Sequence, residues 1–255
     1  MKGIYKAILL LLCLIVLVSG CGKEKTGSAN AGDSQAAPAH EIGPNYRDSL
    51  SLNDENLFSV INDSDRIIDI SDVNQLRDAV TNVFIARVDS IDGCSTTVSS
   101  GRFCPVPDEY GKLTVLQSLK GEISNSTVNF AKPGGIMSIA EYEKYAPAEL
   151  IENHDKHRRE AGLENIDKSS TYQRFFEEGD IELEVGKTYL FFANHIPETG
   201  YYLIDGVQYG AREVIYSEGS EFVNSILESD ELQLMNNDTK EAESLRSFVD
   251  TYFPS

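Results

Sequence analysis

Basic side chains are scarce in this chain: 22 Lys+Arg stand against 41 Asp+Glu, a formal net charge of −19. A surface of that sign repels phosphate backbones and anionic headgroups, so nucleic-acid binding is excluded as a function class. A long apolar run is also missing, since the longest, residues 7–18, has twelve residues and is too short to cross a bilayer as a helix. Cysteine is limited to Cys13, Cys21, Cys94 and Cys104, with no Cys-x-x-Cys spacing, which leaves no signature of a structural zinc or dithiol redox site. No phosphate loop, Gly-rich nucleotide turn or Ser-His-Asp order occurs. These absences argue against an enzyme and for a chain without a cofactor.

The sequence carries an address. Lys2 and Lys6 flank the start of the twelve-residue apolar run, and Val18-Ser19-Gly20-Cys21 follows it directly. Those are the proportions of a secretory signal. The last four residues resemble the bacterial lipobox, which implies cleavage before Cys21 and a membrane anchor through diacylglyceryl-Cys21. Two acyl chains hold a protein at a membrane where one does not, at about 0.8 kcal/mol per buried methylene. The expected location is therefore the extracytoplasmic face of the cell membrane, lipid-anchored. Loss of residues 1–20 removes two lysines and no acid, leaving 20 basic against 41 acidic side chains and a net −21.

Residues 21–56 read as the lipidated cysteine and a flexible tether, because Gly, Ser, Ala and Asn there bury too little apolar surface to offset ordering entropy. Residues 57–255 read as a single globular domain. Within it, Asp72 is a helix N-cap ahead of Val73, Leu76, Ala79 and Val80 at helical spacing. Asp63, Asp65, Asp69 and Asp72 lack the glycine and terminal glutamate of a calcium loop. Strands are expected over 82–91, 112–121, 126–131, 188–193, 201–204 and 213–216 from β-branched and aromatic enrichment, with period-two alternation over 112–121 and 126–131 and apolar side chains on both faces of 188–193, the mark of a strand covered on both sides. Ser138 with Glu141 makes a capping box for a helix interrupted at Pro147 and ending before Gly162. Further helices are expected over 222–227 and, capped by Asp238 with Glu241 three residues on, through Tyr252. Cys94 and Cys104, ten positions apart in a translocated chain, are expected to form a disulfide worth about 2–3 kcal/mol.

The order of elements, three strands, a helical insertion, two or three strands and then helices, matches a five- to six-stranded oligonucleotide/oligosaccharide-binding (OB-like) barrel in a mainly β, α+β chain. Val83-Phe84-Ile85-Ala86-Arg87-Val88, residues 115–121, Pro133-Gly134-Gly135 and residues 185–192 resemble the recurrent blocks of small bacterial lipoproteins whose barrel is similar to the netrin-like, or tissue-metalloprotease-inhibitor-like, domain. The resemblance covers about residues 80–216 and implies a barrel with no catalytic residues. The inhibitor branch seizes a protease zinc through an N-terminal disulfide-bonded cysteine, whereas Cys21 is assigned here to lipid.

Three side-chain groups are candidates for chemistry. His154 and His157 fall on one helix face near Glu149, Glu152 and Glu160, a weak metal site that a solvated face explains better. Asp180, Glu182 and Glu184 alternate as a carboxylate row, read as a solvated edge rather than a glycosidase pair. Tyr189, Tyr201 and Tyr202, with Phe191 and Tyr209, are candidates for an aromatic platform that binds sugar or peptide, against which stands ordinary core packing. The expected function is a membrane-anchored, non-enzymatic binding module for an envelope protein or glycan. The alternatives are a metal-dependent module or enzyme using His154 and His157, and a protease-inhibitor-like protein.

Overall fold

The computed structural model describes residues 42–62, 66–216 and 231–254. Cys21, the expected signal segment, Asp63, Asp65 and the helix expected over 222–227 lie outside these residues. The described chain is mainly β with a few helices, in two sheets. A three-stranded sheet has the order β1 (Leu57–Asn62), β6 (Tyr172–Glu177), β5 (Gly135–Ser138). The eight-stranded sheet is built on β2 (Asn82–Ser95), β3 (Asp108–Lys120), β4 (Thr127–Pro133), β7 (Thr188–Ile196) and β8 (Tyr201–Ile204). It is extended by β9 (Ala211–Ile215), β10 (Gln233–Met235) and β11 (Ala242–Ser244). Strand β7 bonds to β2, β8 and β9, so the pairing runs from β7 through β2, β3, β4 and β8 and returns to β7. The contact of β4 with β8 is parallel; the other contacts in that circuit are antiparallel.

Strand β2 is buried along almost its whole length because both its faces meet apolar layers. Phe84, Ala86, Val88 and Ile91 pack with Leu113, Phe130, Tyr189, Phe191 and Tyr202. Val83 and Ile85 point the other way, towards Leu76 of α1 (Val73–Ala79) and Leu245, Phe248 and Val249 of α4 (Leu245–Tyr252). Four register shifts along the β2–β3 ladder bend the strand, as bulges do, and change which residue faces which layer. A third, smaller cluster of Met137, Tyr142 and Phe175 lies against the small sheet.

The N-caps fall where capping chemistry puts them. Asp72 accepts from the backbone of Asn74 and Gln75 ahead of α1, and Ser138 accepts from Glu141 ahead of α2 (Ile139–Glu143). Pro147 separates α2 from α3 (Ala148–Glu160), and Gly162 takes φ +74 just beyond it. The last helix begins later than expected. Asp238 and Glu241 lie in the β10–β11 hairpin, where Asn236 accepts from the Asp238 and Thr239 amides and Lys240 turns at φ +59. Ser244 is the true cap of α4, accepting from Ser247.

Two corrections concern boundaries. The chain is ordered against the large sheet from well before residue 57: Gly43 donates to Asp89, Asn45 bridges Ile91, and a 3₁₀ turn follows at Tyr46–Ser49. The strands also outnumber a five- or six-stranded set, since β1, β5 and β6 form a separate sheet and β10 and β11 lengthen the large one. Among the described residues no helix is long and apolar enough to cross a membrane.

Candidate functional site

The two sheets are joined where β4 runs into β5 at Lys132-Pro133-Gly134-Gly135. Gly134 and Gly135 sit at φ +110 and +112, and a Cβ on Gly135 would lie 2.4 Å from Glu109 Cγ. Only glycine makes that crossing. Between the sheets opens a cleft of about 370 Å³, within the size range of small-molecule sites. Its apolar walls include Ile61, Val106, Pro133, Ile204 and Val207, and its polar groups are Asn62, Arg66, Lys132, Glu177, Asp180 and Asp205.

Ion pairs cross the cleft. Arg66 reaches Glu177 at the end of β6 at 3.0 Å and Asp205 just past β8 at 2.7 Å, one carboxylate from each sheet. Burial lowers the Arg66 pKa, but the hydrogen bonds to Asp205 and Glu177 outweigh it and raise the value above the ordinary one. Its Nε is buried with no partner among the described residues, a cost of about 1–3 kcal/mol. Lys132, almost fully buried, bonds to Asp180. Val207, on the cleft wall, is held at φ +51, an uncommon conformation for a β-branched residue.

A smaller hollow shares Lys132, Pro133 and Asp180 with the cleft and runs to Arg47 and Glu109. Here Arg47 Nε donates to Glu109 Oε1 at 2.6 Å and its second amine engages Oε2, a bidentate pair on a carboxylate that is 7% exposed. The Tyr46 hydroxyl donates to the same Oε1 at 2.8 Å and accepts from the Ile136 amide of β5 at 2.9 Å, tying the small sheet to the large one. Burial first, then the Glu109 charge, push the Tyr46 phenol far up, so it stays a donor. For Arg47 burial acts downward, but the bond to Glu109 and its charge hold the guanidinium above its ordinary value.

Beside Glu109, Asp108 is buried under Ser99, which donates to it. Burial pushes its carboxyl up to about 6 against the Ser99 bonds, which act downward. A folded-state value above the unfolded one, near 3.9, means the contribution to stability is complete below about pH 4 and is lost as pH rises through about 6. That is a span of about two units, or about 3 kcal/mol. Chemical denaturation across this range should show the wild type losing about that much relative to Asp108→Asn, and parallel profiles would rule the linkage out.

The sequence-derived candidates are distributed differently. Tyr189 and Tyr202 face the core around Phe84, and burial raises the Tyr189 hydroxyl to about 12; Tyr201 points to the other face, edge-on to Tyr110. Alternation along β8 separates Tyr201 from Tyr202, so no shared platform forms. His154 stacks on Tyr142, and burial followed by the Arg158 charge lowers its pKa, whereas His157 is exposed and paired with Glu160. No group of three potential metal ligands occurs among the described residues. Asp180, Glu182 and Glu184 follow β6 in irregular chain rather than alternating on a strand; Glu182 and Glu184 are solvent-exposed as expected and pair with Arg174 and Lys187, whereas Asp180 is half-buried and pairs with Lys132. The expected disulfide is not formed. Cys94 and Cys104 are both free thiols, with Cys94 Sγ turned to the sheet crossing, 3.5 Å from Gly134 O. Sequence reasoning missed Tyr46, Arg47, Glu109, Lys132 and Arg66; a Tyr-Arg pair in an otherwise small-residue segment is the one local sign of the first two.

Compared with protein-family models, curated proteins and solved structures, the chain matches none.

Proposed function

We propose that this chain is a lipid-anchored, extracytoplasmic, non-enzymatic binding protein whose ligand site is the cleft between the two sheets. The cleft itself carries the reading: a concave space of about 370 Å³ with apolar walls and converging charged groups. Among the described residues no Ser, Cys or His side chain lines it, and Glu177, Asp180 and Asp205 are each held by a cation, an arrangement suited to holding a ligand rather than attacking one. Lipid attachment at Cys21 rests on the lipobox pattern of residues 18–21.

The finer fold is proposed as an OB-like barrel of the netrin-like kind. Support comes from the circuit β2–β3–β4–β8–β7, its parallel β4–β8 contact, and the helices α2 and α3 inserted between the third and fourth strands of that circuit. A side-by-side test covers anchor and cleft. Cys21→Ala should leave uncleaved precursor and abolish labelling by a fatty-acid analogue; persistent labelling would put the anchor elsewhere. A thermal-stabilisation screen of amino acids, sugars and short peptides should give hits that Val106→Trp, which fills the cleft, removes. Hits unaffected by Val106→Trp would move the ligand site off the cleft.

A further inference from the structure

The bonds already made in the cleft define what remains to be made. Among the described residues Lys132 Nζ has one partner, Asp180, and so keeps two donors. Arg66 spends its two terminal amines on Asp205 and Glu177, and Nε has no acceptor there. On the other side, Asp205 uses Oδ1 for both Arg66 and the Gly206 amide, and Glu177 uses Oε2, which leaves Asp205 Oδ2 and Glu177 Oε1 without a partner among the described residues. The cleft thus holds spare donors and spare acceptors at once, the complement of a ligand that carries both an anion and a cation.

Charge balance sharpens this. Among the described residues of the lining, two cations, Arg66 and Lys132, stand against three carboxylates, Glu177, Asp180 and Asp205, a net −1. A ligand of net +1 closes the balance, and the acidity of the whole chain favours its approach. Ile61, Ile204 and Val207 supply apolar wall for a methylene stem between the charged ends. We infer that the cleft binds a basic α-amino acid, free or as the carboxyl-terminal residue of a short peptide. The ligand carboxylate is taken by Lys132 and by Arg66, whose side chain is 24% exposed and turns to it, while the distal cation meets Asp205 and Glu177.

This assignment rests on the cleft being the ligand site, and the experiment separates the two. Titration calorimetry on the full processed lipoprotein in detergent micelles would use L-arginine, agmatine (no carboxylate), citrulline (no side-chain cation), L-glutamate and Ala-Ala-Arg. L-Arginine should bind, agmatine and citrulline at least tenfold more weakly, and glutamate not at all. Ala-Ala-Arg binding as well as arginine identifies a peptide source, and its exclusion identifies the free amino acid; both sustain the ligand class. Arg66→Gln, whose folding is checked by its melting profile, should weaken arginine at least tenfold. Equal binding of arginine and glutamate, or arginine binding unchanged in Arg66→Gln, overturns the assignment. A ligand of other chemistry that Val106→Trp blocks would leave the cleft as the site and remove only this ligand class. Arginine binding that survives Val106→Trp overturns both.

Discussion

Arg47→Ala should lower the stability of the protein by about 3–5 kcal/mol, the cost of leaving a buried carboxylate without its cation. Glu109 is the stranded partner. It lies on β3 with a 7% exposed side chain and cannot reach water without opening the sheet, whereas Arg47 lies on the segment ahead of β1. The reverse change, Glu109→Leu, should cost less, about 2 kcal/mol. It frees the guanidinium to turn outward towards Glu182, which it already approaches at 3.7 Å, or to solvent. Arg47→Met with Glu109→Leu should recover most of either loss, because a buried ion pair replaced by packed apolar groups is close to neutral. Tyr46 then loses its acceptor but keeps the Ile136 amide, so the recovery falls short by roughly the net value of one hydrogen bond, about 1 kcal/mol. Urea denaturation of these proteins together with Arg47→Met, the second single variant contained in the double, closes the cycle. Arg47→Ala within 1 kcal/mol of wild type would mean that water reaches Glu109, and the clamp between the two sheets would have to be sought elsewhere.

What could be read from the sequence follows the range of the interactions involved. The strands β2, β3, β4, β7, β8 and β9 were legible because their alternation and β-branched content are written locally, and both faces of β7 read correctly as covered. The caps at Asp72 and Ser138 were legible for the same reason. The small sheet was not: β1 and β6 pair in parallel, Leu57 opposite Tyr172, and neither strand contains any sign of the other. Residues 44–49 look like tether because what orders them, Glu109, is supplied from β3. The cleft is hidden in the same way. Lys132 and Asp180 meet only once the crossing at Gly134 and Gly135 has brought β4 to the small sheet. The pattern at Asp238 and Glu241 misled because a capping box and a hairpin turn use the same residue types, and the hairpin wins where β10 can pair with β9.

Gly111→Ala should cost about 3 kcal/mol or more, although alanine has the better strand conformation. Its φ is not left-handed, so the reason is proximity alone: a Cβ there would lie 2.1 Å from Ser90 O and 3.0 Å from Ile91 Cα, both backbone atoms of β2. No rotamer change relieves such a contact. Either β2 moves away from β3, giving up pairing beside a register shift, or it moves into the packed layer around Ile91. Gly101→Ala provides the contrast. Gly101 has φ +67 and nothing within 4 Å of an added methyl, so its only cost is conformational, about 1–2 kcal/mol. If denaturation ranks the two in the opposite order, the close approach of β2 and β3 is not what glycine at 111 serves. If the expected order holds, the bulged stretch of β2 is a place where the two longest strands lie unusually close, and it sits a short way along the ladder from Asp108 and Glu109. A Gly111→Ala protein that still folds should then also show a weakened Arg47–Glu109 coupling in the double-mutant cycle, because displacing β3 at Gly111 displaces the carboxylate two residues away.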